Sequence, residues 1–102
     1  MKVAAFPKCY LEEISFKRTM TVFDWITMAR ELGAEGLEMY EGFFLNLEDA
    51  YIDGVGEAIA AGGWAMPMLC CSPDFTNPDE AARRAALDHE AEMIRVTRRL
   101  GG

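Results

Sequence analysis

The chain alternates between short continuous apolar runs and longer segments in which apolar residues recur every three or four positions. The continuous runs cover residues 2–6, 36–40 and 65–71, and such runs are typical of buried parallel strands. Pro67 lies inside the third run, where its missing N–H is unfavourable for a central strand. The intervening segments have the period of amphipathic helices, so the predicted order is βαβαβα.

The first predicted helix has clear signals at both ends. Thr21 followed by Asp24 three residues later fits a capping box, although Asp is a poorer partner there than Glu. Gly33 is placed to end the helix, because glycine accepts the left-handed conformation at little cost.

The second and third helices are expected to begin at asparagines. Asn46 is the predicted cap of the second helix, and Asn77 with Pro78 is predicted to start the last one. Gly54 and Gly56 lie inside the second helix and are each expected to weaken it, by about 1 kcal/mol relative to alanine.

The spacing of the strands predicts an α/β fold of a particular kind. Successive strand starts are about 34 and about 29 residues apart, close to the roughly 31 residues per unit of a (β/α)8 barrel. A doubly wound sheet usually has a glycine-rich loop after its first strand, and this chain has none there. We therefore expect residues 1–102 to be one partial barrel segment, the first three units, that stops where a fourth strand would begin.

A sheet of three strands with right-handed crossovers has all its helices on one face. The third run alternates Met66, Met68 and Cys70 on one predicted face with Leu69 and Cys71 on the other, so both faces are apolar. Parallel sheets are normally covered on both sides. We therefore expect either self-association through the open face or further strands that complete the barrel.

Composition excludes several classes of function. The formal charge of −7 argues against binding to nucleic acid, which requires a basic surface. No apolar stretch reaches the roughly 20 residues of a membrane helix. Three cysteines are an odd number and two are adjacent, which does not suit a disulfide framework, so we expect reduced thiols in the cytoplasm.

Two segments resemble a known family. Residues 29–38 (ARELGAEGLE) and 67–76 (PMLCCSPDFT) resemble the N-terminal part of the sugar-phosphate isomerase/epimerase family, which belongs to the xylose-isomerase-like TIM barrels. The resemblance implies proton transfer next to a carbonyl of a sugar or sugar phosphate, assisted by a divalent metal such as manganese. The metal ligands of that family come from the fourth and later strands, so we expect none in this chain and no activity from these residues alone.

Candidate substrate-binding residues follow from the predicted carboxyl ends of the strands, where barrel enzymes bind their substrates. Glu38 is the first, because a carboxylate in an apolar strand is costly to bury without a partner. It is interpreted as an acceptor for substrate hydroxyls, as a support for the metal ligands, or as a member of a structural ion pair inside the barrel wall. Tyr10 is a candidate wall for a sugar ring, although an ordinary loop aromatic is an equally simple interpretation. Ser72 and Asp74 are placed to reach substrate hydroxyls, or they simply form a turn.

Other reactive residue types have simpler explanations. Glu41 is interpreted as a solvated loop charge. His89, the only histidine, lies on the apolar stripe of the last helix and is predicted to pack against the sheet, far from the strand ends. Cys70 and Cys71 are interpreted as small core residues rather than nucleophiles, because no basic neighbour is evident.

Two alternatives remain open. The chain could be a non-catalytic module that oligomerises through its open sheet face. It could also belong to the endonuclease-like phosphodiesterases on the same barrel, which use several zinc ions. The second is disfavoured because those enzymes commonly place a histidine after the third strand, where this chain has Cys71 and Ser72, and because the chain is acidic.

Overall fold

A computed structural model describes residues 1–102 and confirms a mixed α/β chain with short strands. The strands are β1 (Ala4–Ala5), β2 (Gly36–Leu37), β3 (Met39–Tyr40) and β4 (Leu69–Cys70). The α-helices are α1 (Val22–Met28), α2 (Asp49–Ala61) and α3 (Glu80–Leu100). None of these helices combines the length and the hydropathy that a bilayer crossing requires.

The strands form two parallel ladders that share a middle segment. β1 pairs with β2, and β3 pairs with β4. Only Glu38 separates β2 from β3, and its backbone N–H still donates to Ala5 of β1 at 2.9 Å. The middle segment therefore lies between β1 and β4, so strands that are neighbours in sequence are also neighbours in space. This is the order found in a barrel wall.

The segment that leads into β4 (residues 65–69) contains one extra residue near Pro67. The parallel pairs on either side of it are Gly36 with Ala65 and Met39 with Leu69. Between these two pairs the chain advances four residues, from Ala65 to Leu69, while the middle segment advances three, from Gly36 to Met39. One residue more on one strand than on its partner defines a β-bulge. The predicted alternation across this run is therefore wrong, because Met66 is buried in the same core that Cys71 packs against.

The core lies between the strands and the three helices. Its members at helical spacing are Val22, Trp25 and Ile26 of α1, Ile52, Val55 and Ile59 of α2, and Met93, Val96 and Leu100 of α3. Leu37 and Met39 of the middle strand are fully buried against them. Two other large apolar side chains of the strand region, Val3 and Met68, are 56% and 44% exposed.

α2 and α3 pack closely enough to require a glycine. A Cβ atom at Gly56 would lie 2.7 Å from the carbonyl oxygen of Arg99, whereas a Cβ at Gly54 would meet nothing within 4 Å. Gly56 therefore contributes to the helix contact as well as weakening the isolated helix. Arg99 also donates to Asp53 and Asp49 across the same interface, at 2.8 and 2.6 Å.

The predicted signals at α1 are confirmed. The Thr21 hydroxyl accepts from the Asp24 N–H at 3.1 Å, and the Asp24 carboxylate accepts from the Thr21 N–H at 2.8 Å, which completes the capping box. Gly33 has a φ of 65°, in the left-handed region. The helix tightens into a 3₁₀ turn over Ala29–Glu31 before it reaches this glycine.

The predicted starts of the other two helices are wrong by two residues. α2 is preceded by Glu48, and Asn46 instead accepts a hydrogen bond from the Glu48 N–H at 2.9 Å. α3 is capped by Asp79, which accepts from Ala82 at 3.1 Å, while Asn77 accepts from the Asp79 N–H. Both asparagines form local turns that lead into the helix, a use of Asn that competes with capping.

The residues between β1 and α1 fold into short helical turns that the sequence pattern does not predict. These turns cover Lys8–Tyr10 and Glu13–Lys17, and the second buries Ile14 completely. Arg18 ends it with a φ of 56°, and its guanidinium donates to the carbonyl oxygens of Ile14 and Phe43. This segment is thereby tied to the carboxyl end of the middle strand.

Candidate functional site

Three aromatic residues meet where the first two strands end. Phe43 stacks on Phe6, which follows β1, with ring centres 5.7 Å apart. It also meets Tyr40 of β3 edge-on at 5.7 Å. Tyr40 in turn covers Gly42, where a Cβ would lie 2.4 Å from the ring. The carboxyl ends of the strands therefore carry a packed aromatic cluster.

Glu41 follows β3 directly and is held by two other segments of the chain. Its Oε2 lies 2.5 Å from Nε2 of His89 on α3, and its Oε1 accepts from the backbone N–H of Ser72 at 3.4 Å. The side chains of Glu41 and His89 are 23% and 45% exposed. The pair thus joins the ends of β3 and β4 to α3 at a position that solvent reaches.

The predicted position of His89, packed on the sheet and far from the strand ends, is wrong. α3 runs back along the strands, so its amino-terminal half lies near their carboxyl ends. Met93 and the buried positions beyond it pack into the core, but His89 comes one turn earlier and lies beside Glu41. Glu41 is likewise a partner in this pair and not an isolated loop charge.

Cys71 lies beside this pair and is held in its neutral form. Burial, and to a smaller extent the neighbouring carboxylates of Glu41 and Glu90, together raise the pKa of the Cys71 thiol to about 11. A thiol with this pKa is protonated at neutral pH and is a weak nucleophile. This agrees with its interpretation as a small core residue.

Residues 26–102 match the family model of the xylose isomerase-like TIM barrel. The chain belongs to this family. The resemblance found in the sequence is thereby confirmed, together with the barrel-type α/β fold. Searches of the curated proteins and of the solved structures find no match.

Ser72 and Asp74 lie on the loop after β4, at the carboxyl end of that strand. Ser72 is exposed and reaches Glu41 through its backbone N–H. Asp74 accepts from both the hydroxyl and the backbone N–H of Thr76 at 2.9 Å, and these hydrogen bonds hold the pKa of Asp74 below its usual value. The Asp74 carboxylate is thus used within its own turn, while its role toward a substrate stays a prediction.

Glu38 lies on the open face of the barrel strands and not with the Glu41–His89 pair. It is half-buried, and its carboxylate makes no hydrogen bond or ion pair within the chain. It lines a groove of about 320 Å³ together with Lys2, Gly36 and Pro67, near the start of the strands. Its role as a substrate ligand stays a prediction.

Tyr10 is directed toward α1. It lines a cleft with Trp25, Met28 and Leu32, and it packs against the core. Its neighbours in that cleft belong to α1 and the turn after it, whereas Glu41 and Ser72 follow β3 and β4, so Tyr10 does not line the same site. Its role as a wall of a sugar site also stays a prediction.

The largest groove of the chain lies at the opposite end of the strands. It measures about 440 Å³ and is lined by the carboxyl-terminal ends of α2 and α3 and by Trp64 before β4. In barrels that end contributes to stability, whereas substrates bind at the carboxyl ends of the strands. The site at Glu41, at the carboxyl ends of the strands, is therefore the stronger candidate than the larger groove.

The described residues do not fit a metal centre. No group of three or more His, Cys, Asp or Glu side chains is arranged to hold an ion. At the strand ends Glu41 and His89 are bound to each other, and two such ligands fall short of the three or more protein ligands of a typical site.

Proposed function

We propose that the chain forms part of a sugar isomerase or epimerase and that its strand ends bind a sugar or sugar phosphate. The proposed reaction of the whole enzyme is proton transfer next to a carbonyl. The observation that carries the proposal is the Glu41 carboxylate held beside His89 at the carboxyl ends of strands in a xylose isomerase-like barrel.

The chemistry of these side chains suits a polyol. A carboxylate accepts hydrogen bonds from hydroxyl groups, and Glu41 keeps acceptor capacity on Oε1 beyond its long contact to Ser72. The Ser72 hydroxyl is exposed and makes no hydrogen bond within the chain. The nearby ring of Tyr40, which is partly exposed and backed by the buried Phe43, offers apolar surface of the kind against which sugar C–H groups pack.

A divalent metal, manganese or a similar ion, is part of the proposal for the whole enzyme. Because residues 1–102 do not fit a metal centre, its ligands would have to come from outside this chain. We accordingly expect the 102 residues to bind a sugar and to lack catalytic activity by themselves.

The test is a titration of the isotopically labelled chain with D-xylose and with a pentose phosphate, followed by two-dimensional NMR. We expect saturable shifts of the amide signals of Glu41, Ser72 and His89. Glu41→Gln should abolish them, and Glu57→Gln, on the exposed side of α2, should leave them unchanged. Shifts that persist in Glu41→Gln, or no shifts at all, would contradict the proposal.

Self-association through the open sheet face is a second candidate. The exposure of Val3 and Met68 in the strand region favours it, because exposed apolar surface on a soluble protein commonly marks an interaction site. Sedimentation equilibrium should then give a mass above that of one chain, and Met68→Glu should restore the monomer. A monomer at every concentration would exclude this candidate.

A further inference from the structure

His89 and Glu41 are 48 positions apart, and they meet only because α3 runs back past the end of β3. The imidazole contacts Oε2 alone. Oε1 has the longer contact to the Ser72 N–H, at 3.4 Å, and retains acceptor capacity for another donor. The carboxylate is therefore fixed at one oxygen and available at the other.

We propose that His89 is a positioning residue for Glu41. Its Nε2–H donates to Oε2, and this contact holds Oε1 ready to accept a hydrogen bond from a sugar hydroxyl. A glutamate side chain has several rotatable bonds, so a free carboxylate would pay more entropy on binding than one that is already held. The inference rests on the proposed function, because it assumes that a polyol binds at Glu41.

The pair does little for the stability of the fold. Both side chains are partly exposed, and exposed ion pairs contribute little to folding. His89 also lies outside the core formed by Met93 and its neighbours. Removing the imidazole should therefore change sugar affinity much more than the thermal midpoint, which a purely structural contact would not do.

The experiment compares His89→Ala, His89→Gln and the neighbouring control Asp88→Asn by titration with D-xylose. Losing one charge-assisted hydrogen bond to the carboxylate should weaken binding about 3- to 10-fold in His89→Ala. A glutamine amide can donate from a position close to that of Nε2, so His89→Gln should recover most of the affinity. Asp88→Asn should bind as the unsubstituted chain does.

The proton NMR spectrum gives a second readout without any ligand. Because His89 is the only histidine, a far-downfield imidazole N–H signal belongs to it alone. We expect this signal in the unsubstituted chain and its loss or upfield shift in Glu41→Gln.

The outcomes separate the two proposals. Equal D-xylose affinity in His89→Ala and the unsubstituted chain overturns the positioning role alone, as does an imidazole signal that Glu41→Gln leaves unchanged. No binding of D-xylose to the unsubstituted chain overturns the proposed function and this inference with it.

Discussion

Replacing Gly56 by alanine tests how closely α2 and α3 approach each other. A Cβ at this position would lie 2.7 Å from the carbonyl oxygen of Arg99 and 3.3 Å from the Cα of Leu100. Both are backbone atoms, which cannot turn aside as the end of a flexible side chain can. The helices must move apart by several tenths of an ångström, and overpacking of this kind costs about 1–3 kcal/mol.

Gly54 is the matched control on the same helix. A Cβ there meets nothing within 4 Å, so Gly54→Ala gains only the helix propensity of alanine, about 0.5–1 kcal/mol. Both substitutions gain this propensity, so the difference between their free energies of unfolding isolates the steric cost. We expect Gly54→Ala to be more stable than Gly56→Ala by about 1–3 kcal/mol.

Thermal denaturation followed by circular dichroism measures this difference. For a domain of this size, 1 kcal/mol corresponds to about 4–8 °C in Tm. Gly54→Ala should therefore melt above the unsubstituted chain and at least about 4 °C above Gly56→Ala. Equal Tm values for the two variants would refute the close approach of α2 and α3.

Three further predictions concern the capping box, the core and a thiol. Thr21→Ala should lower the free energy of unfolding by about 1 kcal/mol in urea denaturation, because it removes the cap of α1. Ile52→Ala should lower it by about 2–5 kcal/mol, because Ile52 is fully buried in the core. Cys9 is exposed and should react with a thiol reagent at pH 8. Cys71 should react slowly until the pH approaches 11, because its thiol stays protonated below that pH. Mass spectrometry of the labelled chain over a series of pH values measures both rates. The pKa of Cys71 is higher in the folded chain than its ordinary value of 9.0, so its contribution to stability is complete below pH 9 and is lost as the pH rises toward 11.

The periodic pattern predicts the helices well because their stability comes from burying one stripe. The buried positions of α1, α2 and α3 fall at the spacing of three and four that the sequence displays. The ends are harder to predict, since Asn46 and Asn77 are as suitable for a turn as for a cap. The bulge at Pro67 is also beyond the pattern, because register depends on the partner strand.

The candidate site depends on contacts that no local pattern contains. Glu41 and His89 are separated by a helix, a strand and a long loop, so their contact follows only from the path of α3 beside the strands. The sequence does carry one indication of this contact. Glu41 is the first residue after a strand, and His89 lies in the half of α3 nearest the strand ends. The stripe of α3 faces the core only from Met93 onward, and the turn before it, with His89, reaches the strand ends.

Intermolecular nuclear Overhauser effects between D-xylose and the labelled chain test the central claim most directly. We expect contacts from sugar protons to the ring of Tyr40 and to the imidazole of His89, both of which are partly exposed. Contacts to Trp64 in the groove at the opposite end of the strands would contradict it, and so would the absence of any contact at saturating sugar.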